Sequence, residues 1–355
     1  MTEERTGSPL DAVAGGDATR AAEAFAVLGD ETRLAILLAL WESCDPADPD
    51  DGVPFSELRE HVGVRDSGRF SYHLDRLAGR FVRRVEGGER TEGSRGSAGG
   101  RSAGGYALRR SGRQLVRTVV AGTGIEEPTL EPTEIDAECP FCGAPLAVTY
   151  EDEWLYKTCT ECSGAYEGGG TRPDGYLSGA ALAPAGLTDR SPEEAWAAAL
   201  TRAYQDTKTL LEGVCNECSG PVDRTLELCE DHDPDGGADD TGSGTGVCGT
   251  CGRRYEALAI VACRVCRNYH AMPPRTLVVN HPTVVSFYHE RGVDVQYDID
   301  DVESVRRRTD LVAEHEQAVV STDPSRVLVT VSYADDELRL TVDEDLKVTE
   351  AREEA

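Results

Sequence analysis

The sequence predicts an α+β chain of several small domains: a helical N-terminal segment closed by a strand pair, then small cysteine-built β modules, then a small C-terminal α+β segment. Three observations predict it. Apolar residues recur at helical spacing through residues 19–121, interrupted by one strand pair. Cysteines recur as Cys-x-x-Cys between Cys139 and Cys266. Residues 275–347 lack cysteine and alternate helix and strand signals. A length of 355 residues suits two or three ordinary domains, and with only 6% aromatic residues several small cores are easier to build than one large one.

Charge and composition narrow the class. The formal net charge is −29, and only Lys157, Lys208 and Lys347 are lysines among 36 basic residues. Acidity spread along a lysine-poor chain is the pattern of a protein kept soluble in molar salt. No run of about 18 apolar residues exists, so no membrane span is expected. Met1 to Gly16 lacks the basic start and apolar core of a signal peptide, so a cytoplasmic location is expected. In a reduced compartment Cys-x-x-Cys pairs point to metal and not to disulfides.

Residues 1–18 read as a disordered leader. Ala21 to Leu28 then carries apolar residues at helical spacing. Asp30 caps a second helix, apolar over most of its circumference through Leu34, Ile36, Leu37, Leu38, Leu40 and Trp41, and so expected in the core. Phe55 to Val62 makes a short third helix and Gly63-Val64 the turn. Asp66 or Ser67 caps a fourth helix through Ala78, with Phe70, Leu74 and Leu77 inward. Phe81 to Val85 is a strand, 87–104 a Gly/Ser/Arg-rich tip, Tyr106 to Leu108 the return strand, and Ser111 to Ala121 a closing helix. Two helices joined by a glycine turn and followed by a hairpin predict a winged helix–turn–helix.

The phrases "AFAVLGDETRLAILLAL", "FSELREHVGV" and "FSYHLDRLAGRFV" resemble the ArsR-like family of winged-helix regulators. The resemblance covers about a third of the chain, and Ser71 to Leu77 is its most specific part. Charge supports it independently. Residues 55–121 hold fourteen arginines against seven acidic residues, net +7, in a chain whose remainder carries −36. The resemblance implies that the fourth helix lies in the major groove of double-stranded DNA. Its outward residues would be Ser67, Arg69, Tyr72, His73 and Arg76, with Ser71 near the same edge. Arg69 or Arg76 would read guanine, worth ~1–3 kcal/mol of discrimination. Arg90, Arg95 and Arg101 in the hairpin tip would follow the phosphate backbone. A plainer reading leaves several of these as solvated helix residues, with His73 holding a hydrogen bond at the edge of the core. Symmetric operators make a homodimer the expected assembly. Some relatives sense metals through cysteines in the third helix; here that helix has none, so that role does not carry over. Cys44 reads as a small buried apolar residue.

Residues 122–137 are acidic and proline-bearing and read as a linker. Cys139/Cys142 and Cys159/Cys162 flank sixteen residues that read strand, acidic turn, strand: a zinc ribbon spanning 138–190. Ser191-Pro192-Glu193-Glu194 opens a connecting helix, 191–212, expected to pack between zinc modules, with a dimer helix as the alternative. The region 213–274 carries Cys215/Cys218, Cys229/His232, Cys248/Cys251 and Cys263/Cys266 around a disordered-looking insert, 233–246. Short gaps favour joining Cys215/Cys218 to Cys229/His232 and Cys248/Cys251 to Cys263/Cys266. The alternative joins Cys215/Cys218 to a later knuckle and leaves Cys229 and His232 unused. With four protein ligands each the sets are closed, so Zn²⁺ would be structural, up to three per chain.

In residues 275–355, His281 to Tyr288 reads as a short helix. Val327 to Ser332 and Glu337 to Val342 read as a hairpin, and the end as an acidic tail. The domain order and "HPTVVSFYHERGVD" resemble a group of haloarchaeal regulators. No GxSxG, P-loop, HExxH or kinase pattern occurs, so no enzyme is expected. The sequence therefore predicts a sequence-specific DNA-binding transcriptional regulator with structural zinc, its C-terminal half free for a protein partner. Two alternatives are a metal- or redox-responsive switch using the cysteine modules, and a zinc-ribbon scaffold contacting RNA or the transcription machinery.

Overall fold

A computed structural model describes residues 23, 25–44, 52–86, 104–125, 127–168, 172–233, 246–295 and 301–354. The chain divides into two compact units, Met1–Ile125 and Glu126–Ala355.

In unit 1, α1 spans Glu31–Glu42 and starts where the Asp30 carboxylate accepts from the Arg33 N–H at 3.1 Å. It buries Ile36, Leu37 and Leu40, but Leu34 and Leu38 are exposed, so it is one-sided where its composition suggested full burial. Helix α2, Phe55–Val62, ends at Gly63, whose φ of +76° closes the turn in the left-handed region. Helix α3, Ser67–Leu77, is capped by Asp66, which accepts from the N–H groups of Gly68 and Arg69. Strands β1, Val82–Val85, and β2, Gly105–Leu108, pair antiparallel, and α4, Arg110–Val120, closes the unit. Phe70, Leu74 and Leu77 of α3 meet Ile36, Leu37 and Leu40 of α1, Leu58 of α2 and Val116 of α4 in a single core.

Unit 2 contains three antiparallel sheets. The first is β3 (Leu130–Glu138), β4 (Pro145–Glu151), β5 (Trp154–Cys159) and β6 (Tyr176–Ala181), in that order. The second half of the segment read as a linker is therefore the edge strand β3. Its Leu130 and Ile135 pack inward while its glutamates face out, the alternation an edge tolerates. Helix α5, Pro192–Leu211, starts with the expected capping box: Ser191 Oγ accepts from Glu194 N–H, and the Glu194 carboxylate accepts from Ser191 N–H. Ala195, Trp196 and Ala199 cover Val148, Tyr150 and Leu155 of this sheet.

The far end of α5 delivers Leu210 to a different core. That core takes Ala257, Ala259 and Val261 from a sheet of β7 (Val222–Leu228), β8 (Ala257–Cys263) and β9 (Tyr269–Met272). It also takes Phe287 and Tyr288 from α7 (Pro282–Glu290), which follows the short α6 (Pro274–Leu277), and Leu311 from α8 (Val302–Glu314). The remainder comes from a four-stranded meander of β10 (Glu316–Thr322), β11 (Ser325–Tyr333), β12 (Asp336–Asp343) and β13 (Val348–Glu354). Val327, Val329 and Val331 of β11 face Leu338, Leu340 and Val342 of β12 in the expected hairpin. The acidic tail is not a tail: VTEAREE is the exposed edge strand β13. The segments read as separate zinc and C-terminal domains share this core, and α5 packs between the modules as expected.

Candidate functional site

Three groups of four ligand atoms stand together in unit 2, each with all four atoms within 4.8 Å of one another. The first is Cys139, Cys142, Cys159 and Cys162, as the sequence predicts. The second is Cys215, Cys218, Cys263 and Cys266; the third is Cys229, His232, Cys248 and Cys251. Both pairings favoured from short gaps are thereby overturned; the alternative is right that Cys215/Cys218 joins a later knuckle and wrong that Cys229 and His232 go unused. Strand register is the physical reason. Val222 at the start of β7 pairs with Cys263 at the end of β8, and Leu228 pairs with Ala257. Antiparallel pairing brings the knuckle before β7 to the knuckle after β8. At the other end it brings Cys229, just past β7, to the Cys248 knuckle that precedes β8. The closure entropy of the long connection is met by the ladder and core of the hairpin, not by the metal site alone.

Four of the five Cys-x-x-Cys turns have one backbone design. The residue after the second cysteine is left-handed: Gly143, Ser219, Gly252 and Arg267, with φ of 76°, 61°, 65° and 63°. Its N–H donates to the carbonyl of the first cysteine, as Gly143 does to Cys139 at 2.9 Å and Gly252 to Cys248 at 2.8 Å. The first cysteine's N–H donates two residues beyond the second-cysteine position: Cys139 to Ala144 and Cys263 to Asn268, both at 2.8 Å. This turn aims both sulfurs at one point. The fifth turn closes differently: Cys159 N–H donates to Gly175, and the left-handed residue is Gly164.

The sulfur separations fit a tetrahedral ion. Cys139–Cys162 is 3.7 Å and Cys142–Cys159 is 3.5 Å. Cys215–Cys266 is 3.6 Å and Cys218–Cys263 is 3.5 Å. A tetrahedron with metal–sulfur bonds of about 2.3 Å has an edge of about 3.8 Å, whereas a disulfide would need about 2.05 Å. His232 Nδ1 lies 3.5 Å from Cys251 Sγ while its Nε2 is 3.2 Å from the Arg254 carbonyl. That carbonyl takes the Nε2 proton and leaves Nδ1 as the free lone pair, the outer-shell arrangement of a ligating histidine.

Electrostatics carries the same message. The Asp233 N–H, 3.4 Å away, is the main force that holds the Cys248 thiol down to about 6, while burial drives Cys251 up to about 11. Burial raises Cys159, but N–H groups of Cys162 and Glu161 outweigh it and bring that thiol to about 7; burial lifts Cys162 to about 12. Within one tetrad some thiols are poised to ionise and others resist joining them. A divalent cation resolves that conflict by stabilising four ligands at once. The tetrads differ in access: Cys142, Cys218 and Cys266 are exposed, and Cys139, Cys159, Cys215, Cys248 and Cys263 are buried. The first and third are joined, since Arg254 N–H donates to Ala165 at 2.9 Å and Glu167 N–H donates to Gly252 at 2.8 Å.

The profile of a family described as Domain of unknown function (DUF7351) matches residues 136–348. The chain belongs to the DUF7351 family. The DUF7351 match begins in β3, takes in all three tetrads and ends at the first residue of β13. A second profile, also described as Domain of unknown function (DUF7347), matches residues 21–119. Searches of curated proteins and of solved structures returned no match.

The DUF7347 stretch contains α3, where the remaining candidates lie. Ser67, Arg69, Tyr72 and Arg76 are exposed, Tyr72 by 59%, with Arg69, Tyr72 and Arg76 on one face. The guanidinium groups of Arg69 and Arg76 have no hydrogen bond or ion pair among the described residues. Ser71 is half-buried, its Oγ 3.5 Å from the Asp75 carboxylate. His73 is a correction. It is only 6% exposed, and its Nδ1 faces the Asp30 carboxylate at 3.3 Å, tying α3 to the start of α1. Arg90, Arg95 and Arg101 lie outside the described residues. Some arginines in the charge count are structural: Arg80 pairs with Glu23, and Arg113 donates to the Leu108 carbonyl. Exposed Arg65, just before the cap, was missed as a candidate although its place beside the helix start is plain in the sequence. Cys44 is half-buried and belongs to no tetrad.

Proposed function

We propose that this protein is a sequence-specific, DNA-binding transcriptional regulator of the ArsR-like winged helix–turn–helix type, acting as a homodimer, with three structural Zn²⁺ ions in its second unit. The observation that carries the reading is the outer face of α3. Arg69, Tyr72 and Arg76 stand exposed there, with both guanidinium groups uncommitted among the described residues, in a segment with an arginine surplus. An acidic chain gains nothing for solubility from such a face, but duplex DNA does bind one. The order α1, α2, α3, β1, β2, α4 supports reading α3 as a recognition helix and the β1–β2 hairpin as a wing.

Zinc is the metal of choice because the donor sets are Cys₄ and Cys₃His, tetrahedral and closed. With no open ligand position, the metal supplies fold and no chemistry. The test is selection of bound sequences from a random duplex pool by the full chain. The expected result is an enriched motif, lost when Arg69 and Arg76 are both changed to Ala. Recovery of no motif would remove the reading.

A redox-responsive switch is the second reading. It is favoured by the exposure of Cys218 and Cys266 in one tetrad, which leaves those thiolates open to oxidants.

A further inference from the structure

Unit 2 has a partly open cavity of about 810 Å³ between the β3–β6 sheet, α5 and α8. Its wall is mostly apolar: Leu146, Leu177, Trp196, Leu200 and Val305 line it. A space of this size would bury a small organic molecule, for which sites of about 300–1,000 Å³ are usual. Cys139 of the first tetrad forms part of its rim, and the rest of the lining has no role in the metal sites.

Its charged groups decide what it can hold. Three cations line it: Arg275, Arg306 and Lys157. Arg275 is committed, donating to the carbonyls of Ala313 and His315 and to the Tyr255 hydroxyl. Arg306 is committed too, paired with Asp136 and Glu303. Lys157 is not. It stands in the middle of β5, paired in register with Val148 and Ser178, on the sheet face that α5 covers. Its Nζ lies 5.3 Å from the centroid of the Trp196 ring. Among the described residues its ammonium has no hydrogen bond and no ion pair, although Asp310 and Cys139 favour its charged form from farther away. Asp310 lines the same cavity from the exposed side, beyond ion-pair reach of Lys157.

Lys157 is half-buried, and an ammonium beside apolar side chains without an oxygen partner is poorly stabilised, because the interior replaces its hydration poorly. A ring face at cation–π distance offsets only part of that. Lysine is also scarce in this chain, at three of 36 basic residues, and one of the three stands here. The partner that would suit this ammonium is an anion entering the cavity. One ammonium matches one carboxylate; a phosphate would call for a guanidinium fork or a cluster of N–H donors, and both arginines are already engaged. Six carboxylates in the lining, Asp136, Glu138 and Glu193 with Glu303, Asp310 and Glu314 on α8, also disfavour a dianion.

We propose that this cavity binds a small monocarboxylate with an apolar or aromatic body, its carboxylate on Lys157 and its body against Trp196 and Leu200. The site belongs to unit 2 alone and does not depend on whether unit 1 binds DNA.

The experiment titrates the full metal-loaded chain with octanoate and 3-phenylpropionate, and in parallel with 1-octylamine and 1-octanol. Calorimetry is combined with Trp196 emission in a Trp41→Phe/Trp154→Phe background. The expected result is one-to-one binding of both carboxylates, at least tenfold tighter than the amine or the alcohol. Lys157→Met should weaken the carboxylates at least tenfold, while Lys157→Arg keeps most of the affinity. Should Lys157→Met fail to fold, Leu200→Trp fills the apolar wall with the ammonium in place and should also abolish binding. Carboxylate binding that ignores both substitutions, equal binding of the amine or the alcohol, or no binding by any probe would each overturn the proposal.

Discussion

Residues 1–125 carry a net charge of −2, whereas residues 126–355 carry −27, and the two units are held together by different means. Unit 1 relies on one apolar core in which Phe70, Leu74 and Leu77 of α3 meet three other helices. Unit 2 divides its apolar residues among several clusters, and its first sheet ends in turns whose fixed points are cysteines. Where a β module is too small to bury its way to stability, ligand bonds substitute for core. The comparison teaches where to look for failure: unit 1 should break through packing, unit 2 through its sulfurs.

The largest expected effect follows from metal removal. Structural zinc contributes roughly 10–16 kcal/mol of apparent binding energy in small modules. A chelator at high affinity should therefore abolish the cooperative unfolding of unit 2 and leave that of unit 1 in place. Calorimetry would read two transitions before treatment and one after; loss of both, or of neither, would break the contrast. Next comes Leu74→Ala in unit 1. Leu74 is 1% exposed, so the cavity should cost about 2–5 kcal/mol, with unchanged metal content.

A third effect separates the units by pH. His315 is buried against the Tyr288 hydroxyl, 3.0 Å from its Nε2, and burial holds it down to about 4 from an ordinary 6.5. The folded chain thus binds fewer protons than the unfolded one between those values. Its contribution is whole above pH 6.5 and is lost as pH falls toward 4, about 3 kcal/mol in all. The difference in unit 2 stability between wild type and His315→Gln should shrink across that window; a flat difference would contradict it. The smallest effects are on the α3 face. Arg69→Ala or Arg76→Ala should each weaken duplex binding by ~1–3 kcal/mol, without moving either unfolding transition. Binding that is unchanged while stability drops would make those arginines structural.

The legible parts of the molecule were those written in local chemistry. Asp30, Asp66 and Ser191 each cap the helix they announce, because a short oxygen-bearing side chain before an apolar period has few other uses. All twelve tetrad ligands were legible as residues, since cysteine at this spacing is rarely anything else. Their grouping was not, because it depends on which strands pair. The signal was present in VDRTLEL, whose side chains alternate, and in ALAIVAC, a continuous apolar run; read as partners, they would have crossed the ligand sets. Strands β3 and β13 were hidden by charge, since an edge can carry glutamates on its open side. His73 was misplaced although its phase was available. It follows Phe70 by three residues and precedes Leu77 by four, the spacing of the inner face.

The pairing of the second and third tetrads is tested most directly by counting metal. The double variant Cys218→Ser/Cys263→Ser alters two ligands of one tetrad if β7 and β8 pair as described. Purified full-length chain should then fall from three zinc ions to two, while Cys218→Ser/Cys229→Ser falls to one. If the ligand sets instead followed the short gaps, the two results would be exchanged, and the account of how this hairpin carries a metal centre at each end would be wrong.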